Sequence, residues 1–183
     1  MSMKKAARFL LHQSLILLCI LHSICANPAY VNYVSKSCKT TQYPKLCIKT
    51  LSKHAGEIKS SPKRLAVTAL VSTFNATQTT SKVLRELPGG GPVVSECVEV
   101  VSDAVYELRR SLKRLNQSRK GTQFSLQIND VQTWVSAALT DDDTCLDDFT
   151  AKGRSRILAR GFVLTVARLT SIALTFINKY ANI

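Results

Sequence analysis

Residues 92–117 read PVVSECVEVVSDAVYELRRSLKRLNQ, and this stretch decides the fold class of the chain. Apolar residues recur in it at steps of three and four: Val94, Cys97, Val101, Ala104, Val105, Leu108, Leu112 and Leu115. Since an α-helix has 3.6 residues per turn, this spacing places them in one continuous stripe. A helix of this length extends about 38 Å at 1.5 Å per residue. The stretch therefore predicts a long amphipathic helix that buries one side against other helices.

Three further segments share this periodicity, and glycines and prolines mark the junctions between them. The segments cover residues 62–87, 129–149 and 154–180, and each has a wide apolar face. Four amphipathic helices with short connections form an up-and-down bundle. The predicted fold class is therefore all-α, with an up-and-down four-helix bundle over residues 61–183.

A shorter helical region precedes the predicted bundle. Residues 31–56 contain two helical stretches that turn at Tyr43-Pro44, because proline is tolerated in the first turn of a helix but breaks its interior. This pattern predicts an N-terminal α-helical hairpin over residues 27–60.

The first 26 residues have the pattern of an export signal. A basic start (Lys4, Lys5 and Arg8) leads into the nearly uncharged run 9–24, and small residues permit cleavage after Ala26. The alternative is a membrane anchor, but the run is short and no later segment contains the ~20 apolar residues of a membrane span. The pattern predicts a secreted mature chain of one domain, residues 27–183.

Four cysteines remain in that mature chain: Cys38, Cys47, Cys97 and Cys145. In a secreted protein an even set of this kind indicates disulfides rather than a metal site. Cys38 and Cys47 flank the predicted hairpin turn, which suits a local disulfide. Four cysteines nevertheless allow three pairings, and the spacing alone leaves all three open.

The chain has a formal net charge of +13, which falls to +10 when the predicted signal is removed. Such a protein is attracted to anionic polymers, pectin among them, or to anionic membrane surfaces; alternatively, the charge only maintains solubility. The densest basic cluster comprises Arg109, Arg110, Lys113, Arg114, Arg119 and Lys120. No motif for nucleic-acid recognition accompanies the charge, and nucleic acid is an unsuitable partner for an exported protein.

The mature chain contains few residues from which a catalytic site could be built. Its one histidine, His54, has no acidic neighbour in sequence except Glu57, and no phosphate-binding loop or nucleophile motif is present. The acidic run 141–143 lacks the ligand spacing of a calcium loop. We expect no catalytic residues, no metal and no cofactor. Two N-glycosylation sequons begin at Asn75 and Asn116.

The acidic residues are concentrated in two windows, which hold ten of the twelve in the chain: Glu96, Glu99, Asp103, Glu107, Asp130, Asp141, Asp142, Asp143, Asp147 and Asp148. Glu99, Asp103 and Glu107 are four residues apart and share one face of their helix. Cys97 lies in the first window and Cys145 in the second. A bond between them would join the two windows into one acidic surface suited to a basic partner, although a solvated face would look similar.

Two stretches of this chain resemble the plant invertase and pectin methylesterase inhibitor family. They are SCKTTQYPKLC at 37–47 and WVSAALTDDDTCLDDF at 134–149, and the run LTSIAL at 169–174 also resembles the end of that family. The resemblance covers the whole mature chain. It implies a helical hairpin followed by a four-helix bundle, with disulfides Cys38–Cys47 and Cys97–Cys145.

The same stretches are more similar to the pectin methylesterase branch of the family than to the invertase branch. Invertase inhibitors typically carry Pro-Lys-Phe before the third bundle helix, whereas this chain has only Phe124 of that motif. The resemblance implies a secreted inhibitor in the apoplast, or cell wall, that covers the esterase's substrate cleft and so controls pectin de-esterification. An invertase inhibitor is the alternative, and a basic wall-polymer or membrane-surface protein is an alternative of another class.

The resemblance also implies which residues contact the esterase. The family's contact positions fall here on Glu99, Asp103, Thr144 and Asp147. A further acidic position of the family is occupied by Tyr106, which puts that contact in doubt. Trp134 lies on the apolar stripe of its helix, and we expect it in the core.

Overall fold

The structure is a computed structural model that describes residues 27–89, 91–147, 149 and 154–183. Every regular element in these ranges is helical, which agrees with the predicted all-α class. The predicted signal, residues 1–26, lies outside the described residues, as does Asp148 of the second acidic window.

The N-terminal hairpin forms as predicted and turns at the expected place. Helix α1 covers Pro28–Cys38 and α2 covers Pro44–Leu51, followed by a 3-10 turn, Ser52–His54, and the short helix α3, Ala55–Ile58. The Asn27 side chain caps α1 by accepting a hydrogen bond from the backbone N–H of Ala29. A disulfide joins Cys38 to Cys47, whose Cα atoms are 5.5 Å apart, and thus fixes the two helices across the turn.

Four long helices follow: α4 over Pro62–Glu86, α5 over Gly91–Gln117, α6 over Phe124–Asp147 and α7 over Arg154–Ala181. Three of them match their predicted limits within one residue. The third, α6, begins five residues earlier than predicted and ends two residues earlier. Its early start has a tertiary cause, because the Phe124 ring packs edge-on against Tyr180 of α7 with the ring centroids 5.3 Å apart.

The four long helices pack as an antiparallel bundle. Helices α5 and α6 pack together, α4 packs against both α5 and α7, and α6 packs against α7, so the four close into a ring. The largest fully buried side chains include Leu70, Leu108, Ile128 and Phe176. A second, smaller cluster of buried apolar residues surrounds Cys97 and Cys145 at the other end of the bundle. The hairpin packs on α4 and α7 and extends the main core.

Helix α7 is more apolar than the sequence analysis allowed. Among the described helices it alone has the length and composition that could cross a membrane, with a mean hydropathy of 1.6 over its most apolar stretch. Length and composition do not distinguish a membrane span from the core helix of a bundle, so the expected absence of a membrane span stays a prediction. The apolar composition follows from the bundle, because α7 packs against both α4 and α6 and eleven of its residues are buried.

The hairpin disulfide allows a simple test of its contribution to stability. We expect Cys38→Ala with Cys47→Ala to lower the free energy of unfolding by about 2.7 kcal/mol, because the open loop gains entropy in the unfolded chain. Guanidinium unfolding of the mature chain measures this difference. Lys39→Ala, a change at an exposed position in the same turn, serves as the control and should leave the midpoint unchanged. An unchanged midpoint for the cysteine variant would contradict the prediction.

Candidate protein-docking face

A disulfide joins Cys97 of α5 to Cys145 of α6, so the bundle has the second bond that the resemblance implied. The two Cα atoms are 4.9 Å apart, and both cysteines are fully buried. The bond fixes α5 beside α6 at the end of the bundle where the two acidic windows lie. The surface formed by these two helices is the candidate functional site.

The four predicted contact residues all lie in the part of the chain that is described, and all are exposed. Glu99 and Asp103 are one turn apart on α5, close after Cys97. Thr144 and Asp147 flank Cys145 on α6, and the Thr144 hydroxyl donates to the Thr140 carbonyl at 2.8 Å. The disulfide brings both pairs to the same end of one surface. Their contact with a partner remains a prediction.

Three carboxylates meet along the seam between the two helices. The pKa of Asp141 on α6 is raised to about 6, first by partial burial and then by the negative charges of Asp103 and Glu107 on α5. Glu107 Oε1 forms an ion pair with Arg110 at 3.5 Å, while its Oε2 is buried without a hydrogen-bond partner among the described atoms. Negative charge therefore accumulates here, and a cationic group from a partner would relieve the mutual repulsion.

Further along the seam, beyond the acidic residues, lies an arginine that is stacked on aromatic rings. The Arg110 guanidinium lies 3.8 Å from the ring centroid of Trp134 and 5.7 Å from that of Tyr106, which is 62% exposed. Arg114 then donates two hydrogen bonds to Asp130 Oδ2, at 2.9 and 2.6 Å. Trp134 is only partly buried, so its predicted core position was wrong. The ring instead supports Arg110 at the surface.

We call this surface the docking face and define it by eight residues: Glu99, Asp103, Tyr106, Arg110, Trp134, Asp141, Thr144 and Asp147. Four of them were predicted as contacts. Asp141 was predicted only as part of the acidic surface and Arg110 only as part of the basic cluster, whereas the contact at Tyr106 was in doubt and Trp134 was expected in the core. The spacing on α5 contained the missing signal, because Glu99, Asp103, Tyr106 and Arg110 follow one another at steps of four, three and four. Tyrosine, tryptophan and arginine are also the residues most often responsible for binding energy at protein interfaces.

Asp142, in the second acidic window, does not lie at the surface. Asp142 is fully buried, and the Thr170 hydroxyl of α7 lies within hydrogen-bonding distance of its Oδ2, at 3.0 Å. Burial raises the pKa of Asp142 to about 8, with the Thr170 hydrogen bond opposing the shift. Its inclusion in the acidic surface was wrong, because it follows Ala138 by four residues and precedes Cys145 by three and so shares their buried stripe.

The basic cluster on α5 does not form one surface. Arg109 lies over the Phe74 ring of α4 at 5.8 Å, whereas Arg110 lies over Trp134 of α6. Lys120, in the connection to α6, lies 3.9 Å from the Phe124 ring centroid. These side chains contact different neighbours, which weakens the interpretation of the cluster as a flat polyanion-binding patch.

The histidine, the two sequons and the absence of a metal site were also predicted from the sequence. His54 Nδ1 lies 3.3 Å from Glu57 Oε2 at the surface, which is the local partner that the sequence offered. Asn75 and Asn116 are both exposed, so each sequon has space for a glycan, although their occupancy stays a prediction. Among the described residues, no three histidine, cysteine or acidic side chains are grouped to hold a metal.

Comparison with known protein families identifies the fold and its relatives. The family model for plant invertase/pectin methylesterase inhibitors matches residues 32–176. The chain belongs to this family. Pectinesterase inhibitor 10 of Arabidopsis thaliana is 39% identical over 167 residues, which cover 86% of this chain and 54% of that protein. Pectinesterase inhibitor 9 of the same plant is 35% identical over 82% of this chain and 81% of its own length.

A solved structure supports the same assignment. The crystal structure of a mutant form of a pectin methylesterase inhibitor from Arabidopsis superposes with a TM-score of 0.62 at 28% identity. It covers 79% of this chain and 95% of its own chain. This family member therefore shares the fold described above. The chain spans about half the length of inhibitor 10 but most of the length of inhibitor 9.

Proposed function

We propose that this protein is a secreted inhibitor of pectin methylesterase that acts in the apoplast, or cell wall. Membership of the inhibitor family places it among proteins that block an enzyme rather than catalyse a reaction. In this proposal the docking face lies over the substrate cleft in a one-to-one complex, and the protein thereby controls pectin de-esterification. The observation that carries this proposal is the acidic and aromatic surface of α5 and α6, which a disulfide holds together. The relatives reported above are named pectinesterase inhibitors, which supports the same target.

The chemistry of the docking face supports a basic rim on the enzyme. Glu99, Asp103 and Asp141 would meet lysine or arginine side chains, and a cation placed there would offset the repulsion that raises the pKa of Asp141. Tyr106 and the Arg110–Trp134 stack would supply the apolar contact area beside this charged region. Thr144 and Asp147 would add polar contacts at the end of the docking face that lies beside the Cys97–Cys145 disulfide.

The second candidate target is invertase, because the family model covers inhibitors of both enzymes. The relatives reported above are named for pectinesterase, and at the start of α6 this chain keeps only Phe124 of the motif typical of invertase inhibitors. We therefore favour pectin methylesterase. A third candidate, of another class, is a basic protein held on wall polymers or membrane surfaces without an enzyme target.

One experiment separates the three candidates. The purified mature chain is added to a pectin methylesterase and, separately, to an invertase, and the initial rate of each enzyme is measured. We expect inhibition of the esterase alone. Inhibition of invertase alone would identify the second candidate, and an effect on neither enzyme would refute the proposed function and leave the third.

Salt should weaken the inhibition. Exposed charge pairs are screened over a distance of about 8 Å at 0.15 M ionic strength and about 3 Å at 1 M. We expect the inhibition constant to rise steadily between these two concentrations, because the proposed contacts are largely ionic. The measurement is the inhibition constant over a sodium chloride series, with each rate compared to that of the free enzyme at the same salt. A constant that does not change with salt would contradict a charged interface.

A further inference from the structure

A groove between α4 and α5 lies outside the docking face. It consists of two adjoining clefts. The first has a volume of about 230 Å³ and is lined by Gln78, Ser81, Lys82, Arg85, Ser102 and Val105. The second has a volume of about 310 Å³, shares Arg85, and has an apolar wall that includes Leu84, Leu87, Val94 and Val98. Together they reach the size range of small-ligand sites, roughly 300–1,000 Å³.

Five of the six residues that line the first cleft are polar, and two of these, Lys82 and Arg85, are basic. Arg85 Nη2 on α4 donates to Ser102 Oγ on α5 at 2.8 Å, and Ser102 Oγ is 3.3 Å from Ser81 Oγ. That bond uses one of the five N–H donors of the guanidinium. Lys82 is exposed beside it, and neither basic residue takes part in the ion pairs found among the described residues. The cleft therefore offers two positive charges with hydroxyl groups beside them.

Positive charge continues along the groove beyond this cleft. Arg109 on α5 lies 5.8 Å from the ring centroid of Phe74, which precedes Arg85 on α4 by eleven residues. At 1.5 Å per residue that separation corresponds to about 16 Å along the helix. The acidic side chains adjacent in sequence to the lining residues are Glu86, Glu96, Glu99 and Asp103, and none of them lines either cleft. A row of cations of this length suits an extended polyanion better than a single small anion.

We propose that this groove binds a segment of partly methyl-esterified polygalacturonate, the polymer on which the esterase of the proposed function acts. Free carboxylates of the polymer would pair with Lys82 and Arg85, because a guanidinium can donate two parallel hydrogen bonds to one carboxylate. Sugar hydroxyls would bond to Ser81 and Gln78. The methyl esters would enter the second cleft beside its four apolar side chains, Leu84, Leu87, Val94 and Val98. The choice of polymer rests on the proposed function, whereas the charge pattern of the groove does not.

Binding at this groove would leave α6 and the docking face accessible. The inhibitor would thus be concentrated on the polymer at the place where the esterase works. Tethering of this kind raises the effective concentration of a second binding partner without any new contact to it.

The test measures binding of oligogalacturonides of defined methylation to the mature chain by isothermal titration calorimetry, without enzyme. Lys82→Gln with Arg85→Gln should weaken binding at least tenfold. Lys45→Gln with Lys49→Gln removes the same charge from exposed positions on the hairpin and should change the affinity less than twofold. Val98→Ser should weaken binding of the partly methylated oligomer by about fourfold, the factor expected for one buried methylene, and leave the unmethylated oligomer unaffected.

Unchanged binding by the groove variant, or an equal loss in the hairpin control, would overturn the proposal and indicate general charge attraction only. Complex formation with the esterase, measured without pectin by size-exclusion chromatography, should be the same for the groove variant and the unaltered chain. If that complex forms but the oligomer does not bind, the groove proposal alone fails. If the oligomer binds but no esterase is inhibited, the proposed function fails and the groove remains as a polyanion site.

Discussion

We expect a chain with Glu99→Lys and Asp103→Lys to inhibit pectin methylesterase with an inhibition constant about 1,000-fold higher than that of the unaltered chain. Both side chains are exposed on α5 and face the same partner surface in the proposed complex. Reversal removes two attractive contacts and places like charges against the basic rim, which costs several kcal/mol. The effect is large because the change is a reversal rather than a neutral substitution.

The chain contains a matched control for this variant. Glu57 and Glu86 are the two acidic residues outside the acidic windows, and both are exposed. Glu57→Lys with Glu86→Lys changes the net charge by the same amount away from the docking face. We expect its inhibition constant to stay within about threefold of the unaltered value, since distant exposed charges are screened. Circular dichroism should show the same helical content for all three proteins.

Two results would contradict the assignment of the docking face. Full inhibition by the α5 variant would exclude Glu99 and Asp103 from the contact. An equal loss in the control would mean that net charge, rather than this surface, determines affinity. A companion variant, Arg110→Ala, tests the aromatic part of the docking face. It removes the cation that lies between Tyr106 and Trp134 and leaves Glu99 and Asp103 unchanged.

The elements of this fold follow from sequence patterns that act within one segment. The apolar stripe of α5 and the prolines at the junctions of α4 predict these two helices almost to the residue, because periodicity and the restrictions that proline imposes are local. The start of α6 at Phe124 was missed, because the contact that holds it, with Tyr180, joins residues distant in sequence. Both disulfide pairings were implied by the resemblance; the cysteine spacing alone left three possibilities open.

The docking face was harder to predict because it depends on the register of α5 against α6. The disulfide fixes this register, and it places Arg110 opposite Trp134 and Arg114 opposite Asp130. No single-helix pattern contains that alignment. Asp142 shows a different difficulty, since its position matched the buried stripe while its charge suggested the surface. Only the contact with Thr170 reveals how a carboxyl group is accommodated there.

Asp142 is also the source of the largest pH effect that we expect on stability. Its side chain is buried between α6 and α7, where Thr170 bonds to it and Asp141 and Asp143 add weaker repulsion from α6. Burial raises its pKa from 3.8 to about 8, and the hydrogen bond from Thr170 opposes this shift. In the neutral form its Oδ2–H can donate to the Thr170 hydroxyl, which in turn donates to the Val166 carbonyl at 3.1 Å. Asp142 Oδ1 has no partner among the described atoms.

The sign of the effect follows from proton binding in the two states. Between pH 4 and 8 the folded chain retains a proton on Asp142, whereas the unfolded chain has lost it. The unfolded state therefore binds fewer protons, and stability falls as pH rises through this range. Each pKa unit corresponds to about 1.4 kcal/mol, so the loss by pH 8 is on the order of 5 kcal/mol. Because of this one group, the protein should be more stable near pH 4 than near pH 8.

Asp142→Asn isolates this contribution, because asparagine has a similar shape and cannot ionise. At pH 4 we expect the variant to be within about 1 kcal/mol of the unaltered chain, since one neutral hydrogen-bonding group replaces another. At pH 8 the variant should be the more stable by several kcal/mol, as measured by guanidinium unfolding across the pH series. Asp147→Asn, at an exposed position of the same helix whose charge does not contribute to the shift of Asp142, should keep the slope of the unaltered chain. Parallel stability curves for the unaltered chain and Asp142→Asn would mean that Asp142 is ionised in the folded state, and that the buried site tolerates a charge.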